Sequence, residues 1–132
     1  MKKLIPLLFC LLLCGCAAQA LPEGMEEKAV IDAGQKIVNL LVDGAYGDVY
    51  ACLREDVAQG TSAEDIEKLM EDTVGKLGAY QGREDAMASG RTVDGVDYGE
   101  AVIFCKYKKD NVLFRIAFDT DYTLVGMEIT KK

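Results

Sequence analysis

The spacing of apolar residues changes once along this chain, at Gly78, and that change limits the fold more than any other feature of the sequence. Over residues 26–43, Val30, Ala33, Ile37, Leu40 and Leu41 recur at intervals of three and four, one face of an amphipathic helix that Gly44 ends. A shorter pattern with Val49, Cys52 and Leu53 on one side predicts a second helix over residues 46–56. Thr61-Ser62-Ala63-Glu64 reads as a capping box with Thr61 as N-cap, and acids at Glu64, Asp65 and Glu67 suit the positive end of the third helix. Ile66, Leu69, Met70, Thr73, Val74 and Leu77 mark its buried face, with Gly78 as C-cap.

After Gly78 the period is two. Val112, Phe114, Ile116 and Phe118 alternate with Leu113, Arg115, Ala117 and Asp119, which predicts a strand with one strongly apolar face and one mixed face. Residues 100–107 are apolar on both sides, as in a covered central strand, and Thr123, Val125, Met127 and Ile129 form another alternating set. Residues 80–92 are weaker and contain glycine, so they read as a bulged or edge strand. Asp94-Gly95, Lys109-Asp110-Asn111 and Thr120-Asp121 are links too short for parallel crossovers, so the strands must run antiparallel in sequence order. The expected fold is α+β: three N-terminal helices packed on one face of a four-stranded antiparallel meander.

Composition narrows the chemistry. Half of the 132 residues are hydrophobic and 28% are charged, enough for one folded core in one domain. An excess of 22 acidic over 15 basic residues disfavours a nucleic-acid partner, whose footprint is a basic stripe. The sequence has no histidine, which removes the commonest general base and metal ligand and with it the usual zinc, Ser/His and Cys/His catalysis. No Gly-rich phosphate loop, metal-ligand spacing or nucleophile elbow is present, and no cofactor is expected.

The N-terminus has the layout of an export signal. Met1-Lys2-Lys3 is basic, and the apolar run over residues 4–13 is too short for a spanning helix, which needs roughly 20 residues. Leu13-Cys14-Gly15-Cys16 resembles the lipobox of bacterial lipoproteins. Cys10 follows Phe9 and Cys14 follows Leu13, whereas Cys16 follows the small Gly15, so the resemblance implies a signal peptide over residues 1–15 and lipid attachment at Cys16. The other reading is an ordinary secretory signal cut after Ala18 or Ala20. Removing residues 1–15 leaves 13 basic against 22 acidic residues, a net charge of −9. Residues 16–26 are then expected to be a lipidated tether holding a 27–132 domain off an anionic surface, on the extracytoplasmic side of the cell membrane.

Three stretches of the mature region carry a second likeness. Leu41-Val42-Asp43-Gly44-Ala45-Tyr46-Gly47-Asp48-Val49, Thr61-Ser62-Ala63-Glu64-Asp65-Ile66, and residues 112–129 with Phe118-Asp119 and Val125-Gly126-Met127 resemble, in order and spacing, the family catalogued as domain of unknown function 3887. That family lies within the nuclear-transport-factor-2-like cone fold. The resemblance covers about residues 28–130 and implies a curved sheet wrapped against helices, leaving a concave pocket used by some relatives of the wider fold for catalysis and by many for binding.

Individual residues offer few candidates for chemistry. Cys52 and Cys105 both fall on apolar sides, so a disulfide between them and two buried free thiols are both open, the free thiols being the simpler reading. Arg115 and Asp119 share the mixed face of one strand, with Lys106 a cross-strand neighbour; they form either an anion-gripping cluster or an ordinary solvated face. Tyr46, Tyr50, Tyr80, Tyr98, Tyr107 and Tyr122 are candidates for pocket walls, where a ring packs and a hydroxyl stays hydrated. The functional expectation is a lipid-anchored extracytoplasmic module binding a small ligand or an envelope protein. The alternative is a small enzyme using an acidic or tyrosine residue in the pocket.

Overall fold

A computed structural model describes residues 19–131. Among the described residues four helices precede four strands: α1 (Glu27–Val42), α2 (Tyr46–Cys52), α3 (Glu55–Ala58), α4 (Ala63–Val74), β1 (Tyr80–Val93), β2 (Val96–Tyr107), β3 (Asn111–Phe118) and β4 (Leu124–Lys131). The strands pair antiparallel in the order β1-β2-β3-β4. The expected α+β meander, helices first, is the observed fold.

Each boundary has a local cause. α1 ends where Gly44 adopts φ +76°, and Ala45 N donates to Leu40 O at 2.9 Å while Gly44 N donates to Leu41 O at 3.1 Å. This is a Schellman turn, which satisfies the last carbonyls and needs a residue tolerant of positive φ. The expected second helix divides into α2 and α3, because Leu53 forms a parallel bridge to Leu124 and Arg54 N donates to Leu124 O at 2.8 Å. The exposed edge of β4 competes with the helix for that backbone, and the edge wins. α4 starts one residue later than expected. Ser62 is its N-cap, with Oγ accepting from Asp65 N at 3.1 Å, while the Thr61 hydroxyl donates to the Asp65 carboxylate at 3.2 Å. The helix also stops earlier, with Gly75 rather than Gly78 as C-cap.

The first hairpin follows its turn. Asp94 and Gly95 have φ of +52° and +80°, the conformation a two-residue turn needs to match strand twist, and they set Val93 opposite Val96. β1 is irregular between Tyr80 and Gly82 and between Arg83 and Asp85, as expected of a weak edge strand.

The core lies between the helices and one sheet face. Ala101, Ile103, Cys105 and Tyr107 of β2, with Val112, Phe114, Ile116 and Phe118 of β3, pack against Val30, Ile37, Val38, Leu41, Val49, Ile66 and Met70. α1 approaches β2 so closely that a Cβ added at Gly34 would fall on that of Ala101. The buried stripe of α1 therefore runs through Gly34 and Val38, with Ala33 and Leu40 only half-buried. On the outer face, a small cluster of Val57, Ala117 and Val125 lies under Leu53 and Tyr98, so α3 caps one corner of the sheet.

From Gln19 onward the expected tether is part of the domain. Gln19 bridges to Gly90, whose N–H donates to Gln19 O at 2.8 Å, and Thr92 N donates to Gln19 Oε1 at 3.1 Å. Leu21 packs on the core, Met25 is buried, and Glu26 N donates to the Tyr122 hydroxyl at 3.0 Å. No helix among the described residues is long and apolar enough to cross a membrane.

Candidate functional site

The sheet and the helices separate at one end, beneath the Schellman turn, and leave a cavity of about 270 Å³. Leu41 and Val42 close it from the end of α1, Tyr46 from the start of α2, Met70, Glu71 and Val74 from the last turns of α4, and Tyr80 and Tyr107 from the sheet. The placement follows from local structure. The turn at Gly44 delivers Tyr46 back towards α1, and the first residue of β1 pairs with the last of β2, which sets Tyr80 opposite Tyr107.

The two sheet tyrosines meet edge to face, with ring centroids 5.4 Å apart at 69°, the arrangement their quadrupoles favour. The Tyr80 hydroxyl lies 3.8 Å from Cys105 Sγ. Burial first, and then the Cys105 thiol beside it, pushes the Tyr80 phenol up to about 12; burial likewise pushes Tyr107 up to about 12. Burial, reinforced by Glu67 and Glu71, raises Tyr46, and burial raises Cys105. At neutral pH the pocket thus holds three neutral phenols above an unreactive thiol. It can pack a ring or an alkyl group and offer hydroxyls as donors or acceptors.

The charged cluster expected on β3 is differently built. Arg115 lies on the outer face but is only 31% exposed, reaching the carboxylate of Glu100 at 3.6 Å and that of Glu128 at 3.8 Å. Glu100 is 1% exposed, and Arg91 reaches the same oxygen, Oε1, at 3.1 Å. Its other oxygen, Oε2, has no hydrogen-bond partner among the described residues. Burial, with the Glu100 charge acting against the attraction of Arg115, raises the Glu128 carboxyl. The mixed face is therefore a balanced ion network rather than a solvated surface. Asp119 belongs elsewhere: one oxygen accepts from Asp121 N and Thr123 N at 3.0 Å each, and the other lies 3.4 Å from Arg54. Lys106 pairs in register with Asn111, at the opposite end of the sheet from Asp119.

Cys52 and Cys105 are free thiols, and they do not share a core. Cys105 is buried in the sheet, whereas Cys52, last residue of α2, is exposed because the helix ends before its stripe can turn inward. Tyr50 donates its hydroxyl to Ala58 O at 2.9 Å, Tyr98 covers the outer corner, and Tyr122 receives the Glu26 amide, so these three serve the fold. Cys16 and the signal segment lie outside the described residues. Among the described residues no cluster of three or more Cys, Asp and Glu side chains could hold a metal ion.

The sequence reading missed Glu100, Arg91 and Glu128. The Asp94-Gly95 turn carried the signal for the first pair: counting back from it puts Arg91 opposite Tyr98, diagonal to Glu100 on the same face.

Helices followed by an antiparallel meander, open at one end over an aromatic pocket, define the class to which this fold belongs. The chain matches the model of the family described as "Protein of unknown function (DUF3887)" over residues 34–127, and it belongs to that family. The fold is also similar to the NMR structure of a protein from Ruminococcus gnavus ATCC 29149, with a TM-score of 0.72 and 22% identity, covering 84% of this chain and 96% of that one. No curated protein matches the chain.

Proposed function

We propose that this chain is a lipid-anchored extracytoplasmic binding module that takes a small ligand into the tyrosine-lined pocket. The observation that carries the reading is the pocket itself: a cavity of about 270 Å³ between elements that otherwise pack closely, walled by Leu41, Met70 and Val74 and edged by three phenols. A concave, mostly apolar site with a few convergent polar groups is the usual form of a ligand site, and this one lies just below the usual range of roughly 300–1,000 Å³, which suits a small ligand. The anchor rests on the Leu13-Cys14-Gly15-Cys16 motif, with membrane lipid as partner through acylated Cys16.

The buried acid that a pocket enzyme would use as a general acid or base is Glu100, and it lies on the opposite face of the sheet, neutralised by Arg91 and Arg115. Glu71, the acid at the pocket, is exposed. These placements favour binding over catalysis.

The two halves of the proposal are tested separately. Replacing Cys16 with Ser should abolish metabolic labelling by palmitate and leave unprocessed precursor; unchanged labelling overturns the anchor. For the pocket, Val42→Trp places an indole in the cavity from a half-buried position at the end of α1. Organic extracts of the purified chain, compared by mass spectrometry, should contain a small molecule in the parent that the Val42→Trp variant lacks. The same molecule at the same level in both proteins would place binding elsewhere.

A further inference from the structure

We infer that the pocket selects an organic cation, an alkyl- or aryl-ammonium with a short apolar body, over neutral and anionic molecules of the same shape. This inference rests on the pocket being a ligand site and adds the chemical class of its ligand.

The charge at the mouth is negative. Among the described residues Glu71 is the one charged residue lining the cavity, and Glu67, one turn earlier on α4, also acts on the Tyr46 phenol. An anion entering here would sit beside a carboxylate without a cationic partner in the wall, which is costly once water is displaced. Arg83 is a cation that acts on the sheet wall. Its exposed guanidinium donates to Gln35 Oε1 at 3.3 Å, while its charge acts on Tyr80 and Cys105 from beyond the lining. The stem of Lys108 runs past Gly78, and the residue is exposed.

The wall itself is aromatic. Tyr46, Tyr80 and Tyr107 come from three different elements onto one cavity. Their phenols stay protonated, and a neutral tyrosine ring carries a quadrupole whose negative face attracts a cation. A cation within about 6 Å of such faces is attracted, more strongly as the site is desolvated. Leu41, Met70 and Val74 then offer apolar contact to the ligand's body. A neutral molecule would gain the apolar contact and forgo the electrostatic part.

Four probes of one shape class test this on the full-length chain in detergent, read by calorimetry and by chemical-shift changes at the pocket tyrosines: benzyltrimethylammonium, benzylammonium, benzyl alcohol and benzoate. The two cations should bind about tenfold more tightly than benzyl alcohol, and benzoate most weakly. Glu71→Gln, at an exposed position, should leave the fold intact and reduce the preference for cations. Tyr46→Leu should reduce it further, and Tyr46→Phe, which keeps the ring, should retain it. Equal binding of benzyl alcohol and the cations, or tighter binding of benzoate, overturns the cation assignment while leaving the pocket as a ligand site. A cation preference that survives Glu71→Gln combined with Tyr46→Leu also overturns it. If no probe perturbs Tyr46, Tyr80 or Tyr107, and Val42→Trp changes nothing, the pocket reading falls as well.

Discussion

Glu100 is a carboxylate with 1% exposure in the middle of a sheet, and its company explains why the fold tolerates it: Arg91 at 3.1 Å and Arg115 at 3.6 Å share its charge. Removing one member of a buried ion network is expensive because the others keep their desolvation cost. Glu100→Ala should therefore cost roughly 3–5 kcal/mol in denaturant melts, comparable to emptying the core with Phe114→Ala. Arg115 is less buried and its contacts are longer, so Arg115→Ala should cost about 1–2 kcal/mol. A loss below about 0.5 kcal/mol for Arg115→Ala would put that guanidinium on a solvated face. The pocket tyrosines make a pH prediction. Tyr80 and Tyr107 titrate near 12 in the folded chain and near 10 when unfolded. Below pH 10 both states keep the phenolic protons and stability is unaffected. Between 10 and 12 the unfolded state releases them first, so stability should fall as pH rises through that window. Melts of the parent against Tyr80→Phe and Tyr107→Phe should show a shallower alkaline fall in each variant. An unchanged slope would mean the phenols are wetter than their packing indicates.

At the scale of elements, one-residue offsets decide which substitutions matter. The cap of α4 is Ser62, so Ser62→Ala should cost about 1 kcal/mol, while Thr61→Ala, which loses only a hydrogen bond to an exposed carboxylate, should cost less. The reverse order in melts would return the helix start to Thr61. Gly34 is the other case. An alanine at this position gains helix propensity of nearly 1 kcal/mol, yet its methyl group would fall on Ala101. Because β2 is held by strands on both sides, α1 must move instead, and Gly34→Ala should be net destabilising, by roughly 1–3 kcal/mol. The double variant Gly34→Ala with Ala101→Gly should recover part of that loss, a coupling that additive melts would disprove.

On the scale of the whole molecule, the segment before α1 closes the fold rather than leading up to it. Met25 is buried, and Gly90 donates its amide to Gln19. Met25→Ala should cost roughly 2–5 kcal/mol and speed hydrogen exchange at Gly90; a neutral variant would show that this segment adds no stability.

Wherever one residue or one turn settles the conformation, the sequence determined the outcome by itself. The change of period at Gly78 separates helices from strands, Asp94-Gly95 sets the register of the first hairpin, and the alternation through Phe114 and Phe118 decides which face of β3 meets the helices. These are local constraints of sterics and side-chain periodicity. Tertiary structure alone decided what depends on competition between distant groups. The edge of β4 captured Leu53 and Arg54 and divided a helix; close approach of α1 to β2 moved the buried stripe onto Gly34; four strands brought Arg91, Glu100, Arg115 and Glu128 within reach of one another. The pocket belongs to this second kind. Tyr46, Tyr80 and Tyr107 are far apart in sequence with no shared pattern, and they become one wall only because a Schellman turn, a strand pairing and the end of α4 converge there. Such convergence is set by the free energy of packing the whole core, which no window of the sequence contains.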